Sequence, residues 1–356
     1  MRPIGPIARG VLLALAAAAS FGLTTPLIQR FGANLGPFTV AALLYAGASG
    51  LAGASDLVGR FQGVQGTEAP LTRSNLPRLL VVALFGAFLA PVLLASGLRA
   101  TSGTGASLLL NLEAVFTVGL GALVHREPVG GRVLAAVGVI AAGGAIVSAG
   151  AATGGASIAG AGLVALATLA WALDNTLSRP LSELDPGQVV AGKGAIGATI
   201  SLVVAQARHE ALPAGFAAFG LLTCGALGYG GSLRLYLRAQ RILGSARTGS
   251  VFAVAPFLGA LTALLLREPL GGWATAAGGM LMAFGVYLHL TEAHDHDHEH
   301  PALSHDHPHR HDDGHHDDHV HAEIPAPGVA HTHSHSHNPR AHSHAHGEDI
   351  HHRHHG

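Results

Sequence analysis

The sequence is poor in charged residues over most of its length. Charged side chains make up 12% of the 356 residues, against about 25% in soluble domains, although the chain past Leu290 is almost wholly polar. A soluble globular domain is therefore excluded for the part that precedes Leu290. The formal net charge of −1 gives no sign of a nucleic-acid partner.

The chain also has one cysteine and one lysine. Cys224 alone cannot form an internal disulfide, so it gives no indication of the redox compartment. Lys193 lies in the stretch GKGAIG, whose three glycines match the G-x-G-x-x-G spacing of dinucleotide loops. Such a loop needs a preceding strand and an acid about 20 residues later. The flanking sequence is continuously apolar instead, so the nucleotide interpretation is disfavoured.

Long apolar runs are what the sequence has in abundance. Glycine, at 49 residues, is about twice its usual share, which is typical of helices that pack closely in lipid. Runs of about 20 apolar residues span a bilayer. We therefore predict an all-α integral membrane protein with about ten transmembrane helices, at residues 11–29, 36–55, 79–98, 104–124, 131–149, 157–178, 188–206, 214–236, 247–266 and 271–290.

Arginine placement orients these spans. The breaks on one side hold eleven arginines and those on the other side hold four, which places the first side in the cytoplasm. Ten spans then put both termini in the cytoplasm, in a multi-pass protein of a bacterial-type inner membrane. The alternative is a cleaved leader, because Arg2 and Arg9 precede VLLALAAAAS. The apolar run continues through FGLTTPLI to spanning length, which favours a first helix.

The sequence contains an internal repeat. HREPVGGRVLAAVGVIAAGG (125–144) matches LREPLGGWATAAGGMLMAFG (266–285) at an offset of 141 residues. We predict a first five-span repeat at 8–149, a second at 157–290 and a tail at 291–356. An odd number of spans makes the two copies face opposite sides of the membrane, as in secondary transporters whose site lies between the halves.

These features resemble the EamA domains of the drug/metabolite transporter superfamily. The resemblance rests on the RE-P-(V/L)-G-G segment, followed by a glycine-spaced last helix, in each half and on NLEAVFT (111–117), WALDNTLSR (171–179) and ARTGSVFAVAPFLGA (246–260). It implies transport of a small metabolite, amino-acid-like or another small organic solute, by alternating access with coupling to an ion gradient. It implies no enzymatic activity, and it does not identify the solute.

Glu113 is the strongest functional candidate, because it is the tenth residue of a span of about 21. An ionisable group at this depth costs about 2.5–3.5 kcal/mol on insertion scales. A carboxylate there can take a proton when desolvated and release it on opening, which would couple transport to the proton gradient. The alternative is a protonated or hydrogen-bonded acid that only ties helices together.

Asp174 and Lys193 lie at matching depths on consecutive antiparallel spans, about 7–8 Å inside the cytoplasmic boundary at 1.5 Å per residue. A salt bridge between them is one prediction. The other is that both side chains snorkel to the interface without meeting.

Three further residues complete the candidate transport or coupling set. Arg234 begins a stripe at the end of the eighth span and could hold an anionic group, although orientation or headgroup contact is the alternative. Trp171, one turn before Asp174, could line the cavity or simply pack. Asn175 belongs to the same WALDNTLSR stretch. Pro26, Pro91 and Pro256 should kink or interrupt their helices.

The tail holds 23 of the 26 histidines. It has no apolar periodicity, so we predict disorder. Neutral imidazoles beside carboxylates suit Zn²⁺, Ni²⁺, Co²⁺ or Cu²⁺, whereas no cofactor is expected in the membrane domain. The candidate metal ligands are His294, His296, His298, His300, His305, His307, His331, His333, His335 and His337.

Two functions compete at this point. The first is a metabolite transporter with an accessory metal-binding tail, and the second is a transition-metal (Ni/Co/Zn) transporter whose tail gathers cargo. Against the second, the spans offer no His or Cys cluster. A membrane-anchored metal-storage protein and a membrane enzyme are weaker options. The expected partners are a small solute, the lipid bilayer and transition-metal ions, with a homodimer as an open option.

Overall fold

A computed structural model describes residues 6–61, 69–125, 129–153, 157–181, 184–243, 245–268 and 272–290, together with the backbone of four strands in the tail. The membrane part of this description is helical. Its α-helices are α1 (Pro6–Gly22), α2 (Thr24–Gly32), α3 (Pro37–Phe61), α4 (Leu76–Ala83), α5 (Ala90–Leu98), α6 (Gly103–Leu109), α7 (Leu112–Leu120), α8 (Gly131–Thr153), α9 (Ile158–Ser178), α10 (Pro186–Ala207), α11 (Phe216–Cys224), α12 (Ser232–Leu243), α13 (Ser245–Phe252), α14 (Ala255–Leu265) and α15 (Trp273–Leu290).

Eight helical segments in the described part are long and apolar enough to cross a membrane. They coincide with the first eight predicted spans. The ninth predicted span is broken into α13 and α14, and the tenth is α15, with 18 residues. The all-helical membrane fold class is confirmed.

The two halves pack with a pseudo-two-fold relation. The second spans of the halves pack on each other (α3 on α10), and so do the fifth spans (α8 on α15). The first span of each half packs on the third span of the other, as α1 on α12 and α9 on α5. Five spans per half reverse the second copy, so this axis lies in the membrane plane.

The α8–α15 contact shows why glycine is abundant. A Cβ atom added to Gly143 would lie 2.7 Å from the carbonyl oxygen of Gly278, and one added to Gly278 would lie 2.7 Å from that of Gly143. Both distances are shorter than a carbon can approach an oxygen. Glycine at both positions therefore allows the two backbones to meet, as small residues do at helix contacts in lipid.

Several spans are interrupted inside the membrane. π-helical turns occur at Leu84–Leu89, between α4 and α5, and at Gly225–Gly231, between α11 and α12. Their first residues are 141 positions apart, which is the repeat offset in the sequence. Interrupted helices expose main-chain polar groups, and membrane proteins tolerate them where they are buried in protein or line a cavity.

The three prolines lie at such interruptions, as predicted. Pro26 is in the first turn of α2, Pro91 is the second residue of α5 after the π turn, and Pro256 is the second residue of α14. A first-turn position suits proline because its missing N–H would have no partner within the helix there.

In the tail the structure describes four short strands. β1 (Asp295–His300) pairs antiparallel with β4 (Arg340–Ala345), and β2 (Leu303–His309) pairs antiparallel with β3 (His331–His337). Isolated two-stranded pairs are marginally stable in water, and these have few apolar residues to bury. Such pairs provide no packed core, which is consistent with the predicted disorder of the tail.

Candidate functional site

An ion pair joins α9 to α10 inside the bundle. Lys193 Nζ donates to Asp174 Oδ2. The Asp174 side chain is 4% exposed and that of Lys193 is 17% exposed. The second carboxylate oxygen of Asp174, Oδ1, is buried without a hydrogen-bond partner. The structure therefore places the two residues in contact, and it leaves one buried acceptor unsatisfied.

The carbonyl oxygen of Gly86 is a second buried polar centre. In a π-helical turn a carbonyl accepts from the N–H five residues later, and for Gly86 that residue is Pro91, which has no N–H. The N–H of Ala90 donates to Phe85 O instead. Gly86 O is thus available to side-chain donors. It accepts hydrogen bonds from the Tyr45 hydroxyl and from Trp171 Nε1, the latter at 3.1 Å.

Gly86 also lies directly against the ion pair. A Cβ atom at this position would be 2.0 Å from Asp174 Oδ2 and 2.2 Å from Asp174 Cγ. No side chain fits there unless the carboxylate moves. The π turn therefore positions Tyr45, Trp171 and Asp174 together through one residue without a side chain.

Glu113 lies at a break in the fourth span. The chain turns at Leu110–Asn111, and Glu113 is the second residue of the helix α7 that follows. The N-terminus of a helix favours a negative charge. Asn175 Nδ2 on α9 donates to Glu113 Oε1 at 2.8 Å. This hydrogen bond joins the first half of the chain to the second.

Aromatic side chains from both halves form a cluster beside these polar groups. The rings of Phe21 and Tyr45 come from the first half, and those of Trp171, Tyr229 and Phe252 from the second. The ring centroid of Phe21 lies 6.3 Å from that of Trp171, 5.7 Å from that of Tyr229 and 5.7 Å from that of Phe252. The ring centroid of Tyr45 lies 5.5 Å from that of Tyr229. We call the five residues the aromatic cluster.

Arg234 on α12 pairs with Asp56 on α3. The distance from Arg234 Nη2 to Asp56 Oδ1 is 3.0 Å, and the two side chains are 22% and 27% exposed. The same Arg234 nitrogen also donates to Ala52 O at 3.3 Å. The pair lies against Gly187 in the first turn of α10, where an added Cβ would be 2.5 Å from Asp56 Oδ1. Arg234 is thus held by a carboxylate of the other half.

The glycines around Lys193 have a packing role in α10. A Cβ added to Gly194 would lie 3.0 Å from Ser49 Cβ on α3, and one added to Gly197 would lie 2.5 Å from Ala87 Cβ in the π turn. The GKGAIG stretch lies in the middle of a continuous helix. These glycines therefore let α10 pack close to its neighbours. The G-x-G-x-x-G spacing does not form a phosphate-binding loop here.

Sequence reasoning identified Glu113, Trp171, Asp174, Asn175 and Lys193, and the structure brings all five to the same region of α7, α9 and α10. It missed several residues that complete the arrangement. Asp56, just after the second predicted span, and Tyr45, a polar ring in an apolar run, gave visible signals. Gly86 gave none, because its role depends on the π register and on Pro91. The residues missed are Phe21, Tyr45, Asp56, Gly86, Tyr229 and Phe252.

For the predicted metal ligands of the tail, the structure gives only the pairing of backbone positions. No group of three or more His, Cys, Asp or Glu residues that could hold a metal occurs among the side chains that the structure describes. In the tail the backbone register places His296 opposite His344, His298 opposite His342, His305 opposite His335, His307 opposite His333, and His331 opposite His309, while His300 faces Arg340 and His337 faces Leu303. His294 lies outside the described residues.

Comparisons with known proteins agree with this architecture. An uncharacterized transporter of Methanothermobacter thermautotrophicus is 28% identical over 238 residues, which are 62% of this chain and 66% of the relative, just under two thirds of its length. A solved crystal structure superposes with a TM-score of 0.58 at 19% identity, over 79% of this chain and 95% of the other. That likeness shows the fold alone.

The sequence profile of the EamA-like transporter family matches twice, at residues 8–149 and at residues 158–291. The two matches leave out only the N-terminal residues, a short link and the tail. Together with the helical fold, they show a multi-pass membrane protein, and the chain belongs to the EamA-like transporter family.

Proposed function

We propose that the protein moves a small organic metabolite across a bacterial-type inner membrane by alternating access, driven by protons that bind Glu113. The hydrogen bond between Glu113 and Asn175 carries this proposal, because it joins the two halves at a helix break inside the fourth span. An acid in this position can titrate as its surroundings open and close. The family membership argues for a transporter rather than an enzyme.

Polar contacts between the halves at both ends of the bundle support alternating access. At one end Arg234 pairs with Asp56. At the other end the Gly103 N–H donates to Glu268 Oε2 at 2.7 Å, and the Thr39 N–H donates to Glu210 Oε2 at 2.8 Å. Each contact links one half to the other. Opening either face of the central site would break the contacts at that end while the opposite ones hold.

The proposal is tested with purified protein in liposomes that carry a pH gradient. A panel of radiolabelled amino acids, amines and small organic acids is supplied outside, with and without a proton ionophore. We expect at least one solute to accumulate above its external concentration, and the ionophore to abolish that accumulation. Accumulation that is the same with and without the ionophore would contradict proton coupling.

We further place both termini in the cytoplasm and assign the His-rich tail to binding of Zn²⁺, Ni²⁺, Co²⁺ or Cu²⁺ as a buffer or regulator. Its neutral imidazoles alternate with carboxylates, and these are ligands that transition metals prefer. Because the described helices make their packing contacts without the tail, solute transport should not depend on it.

Deletion of residues 294–356 should therefore leave solute transport in metal-free medium within about twofold of the full-length rate, because surface termini can be removed without disturbing a core. The full chain should bind more Zn²⁺ than the truncated chain, and the difference should shrink below about pH 6.5, because protonated imidazole has no lone pair to give. Equilibrium dialysis and liposome uptake measure the two effects.

If metal ions are the cargo instead, the truncation should weaken metal resistance of cells at low metal concentrations and matter less at high ones. A run of weak sites at the mouth raises the local concentration of an ion. Such a result, together with metal-driven flux in liposomes, would replace the metabolite proposal.

A further inference from the structure

The charges on α7, α9 and α10 do not balance when Glu113 is ionised. Lys193 forms an ion pair with Asp174. The ionised carboxylate of Glu113 has the Asn175 amide as its hydrogen-bond partner and has no cationic partner in the described part of the chain. Glu113 is half-buried within the fourth span, where an ionised carboxylate without a compensating positive charge is unfavourable. The carboxylate can therefore receive a proton or another positive group.

The groups around Glu113 fit an organic cation. Asn175, the hydrogen-bond partner of Glu113, lies one turn after Trp171 on α9, and the ring centroid of Trp171 is 6.2 Å from that of Tyr229. The faces of Tyr and Trp rings attract ammonium groups, most strongly where water is excluded. The aromatic cluster thus offers ring surface from both halves next to a carboxylate.

A second acceptor, on Asp174, also favours a solute that carries N–H groups. Asp174 is 3% exposed, and its Oδ1 is buried without a donor. A buried acceptor without a donor is unfavourable, and an N–H of a bound solute would satisfy it. The charged and titratable groups around Glu113 are Asp174 on α9, Lys193 on α10, Tyr45 on α3, Tyr229 in the second π turn and Tyr236 on α12.

We propose that the transported solute carries an ammonium group, which Glu113 and the aromatic cluster bind, and that this group competes with a proton for the Glu113 carboxylate. Binding releases one proton: the protonated acid and the ammonium ion give the carboxylate–ammonium pair and H⁺. Exchange of one proton for one amine follows. This assignment rests on the proposed function and adds the chemical class of the solute.

The test uses three probes that share a phenyl ring and a short chain but differ in charge: phenethylamine, phenylethanol and phenylpropionate. Binding is followed by Trp171 fluorescence in a Trp273→Phe background, since Trp273 is 82% exposed and would add a constant signal. Trp171 belongs to the aromatic cluster, so its emission should respond when a ligand enters.

We expect phenethylamine to change Trp171 emission at millimolar concentration and the other two probes to leave it unchanged. Half-saturation should need more amine as the pH falls. Glu113→Gln should raise the half-saturating concentration about tenfold or more. Tyr229→Phe, which keeps the ring face, should bind nearly as well as the parent, whereas Tyr229→Leu should bind several-fold less well.

Equal responses to all three probes, a response to phenylpropionate alone, or no response to the amine would overturn the assignment. Liposome flux separates this outcome from failure of the proposed function. Movement of the alcohol or the acid with the amine excluded would leave the transporter proposal standing. Amine binding with no movement of any solute would contradict transport by this site and leave the binding assignment standing.

Discussion

Replacing Lys193 with alanine should destabilise the protein by about 3–5 kcal/mol, because the change leaves the buried Asp174 carboxylate without its cation. Asp174→Ala should cost a similar amount by stranding Lys193. The double variant should be less damaged than the sum of the two single losses, since neither charge is then left unpaired. Thermal unfolding in detergent and liposome transport measure the two effects.

The Arg234–Asp56 pair provides the matched control. Its side chains are 22% and 27% exposed, against 17% and 4% for Lys193 and Asp174. Partly exposed pairs contribute about 0–1 kcal/mol, so Arg234→Ala should change stability far less than Lys193→Ala. Equal losses at both pairs, or strictly additive losses for Lys193 and Asp174, would contradict the account of the central ion pair.

Gly86→Ala should abolish most transport and lower stability by about 3 kcal/mol, even though alanine is normally the better helix former. The added methyl group would lie 2.0 Å from Asp174 Oδ2, so the carboxylate must leave its place beside Lys193. The same shift would disturb the hydrogen bonds that Tyr45 and Trp171 donate to Gly86 O. Transport and thermal unfolding are again the measurements.

Gly162→Ala on α9 is the control for this change. Nothing lies within 4 Å of an added Cβ at Gly162, so the substitution should be neutral or slightly stabilising through helix propensity. A Gly86→Ala variant that behaves like Gly162→Ala would show that the close contact with Asp174 is relaxed at little cost.

Apolar runs, the repeated segments and the positions of the prolines were enough to predict the membrane architecture. Apolar runs of spanning length located the helices, and the repeated RE-P-(V/L)-G-G segments identified the two copies. The prolines marked the interruptions, because the loss of an N–H is a local property of the chain. The π-helical turns at Leu84–Leu89 and Gly225–Gly231 were not predicted, since composition alone does not show where an apolar run leaves α-helical geometry.

The site was only partly predictable for a related reason. Equal depth on consecutive spans was enough to pair Asp174 with Lys193 as one of two alternatives. The partner of Arg234 is Asp56, which is 178 residues away in the sequence, and no local pattern joins them. Gly86 matters through a missing N–H five residues later and through a contact with another helix, so its role appears only once the helices are packed.

The most direct test of the central claim is transport by the Glu113→Gln variant in liposomes. The amide keeps the size of the side chain and can still bond to Asn175, but it cannot take up or release a proton. We predict that solute accumulation driven by a pH gradient falls to the level of empty liposomes, while exchange of saturating solute down its own gradient persists. Accumulation that is unchanged and still depends on pH in this variant would contradict the account and leave Glu113 as a structural residue.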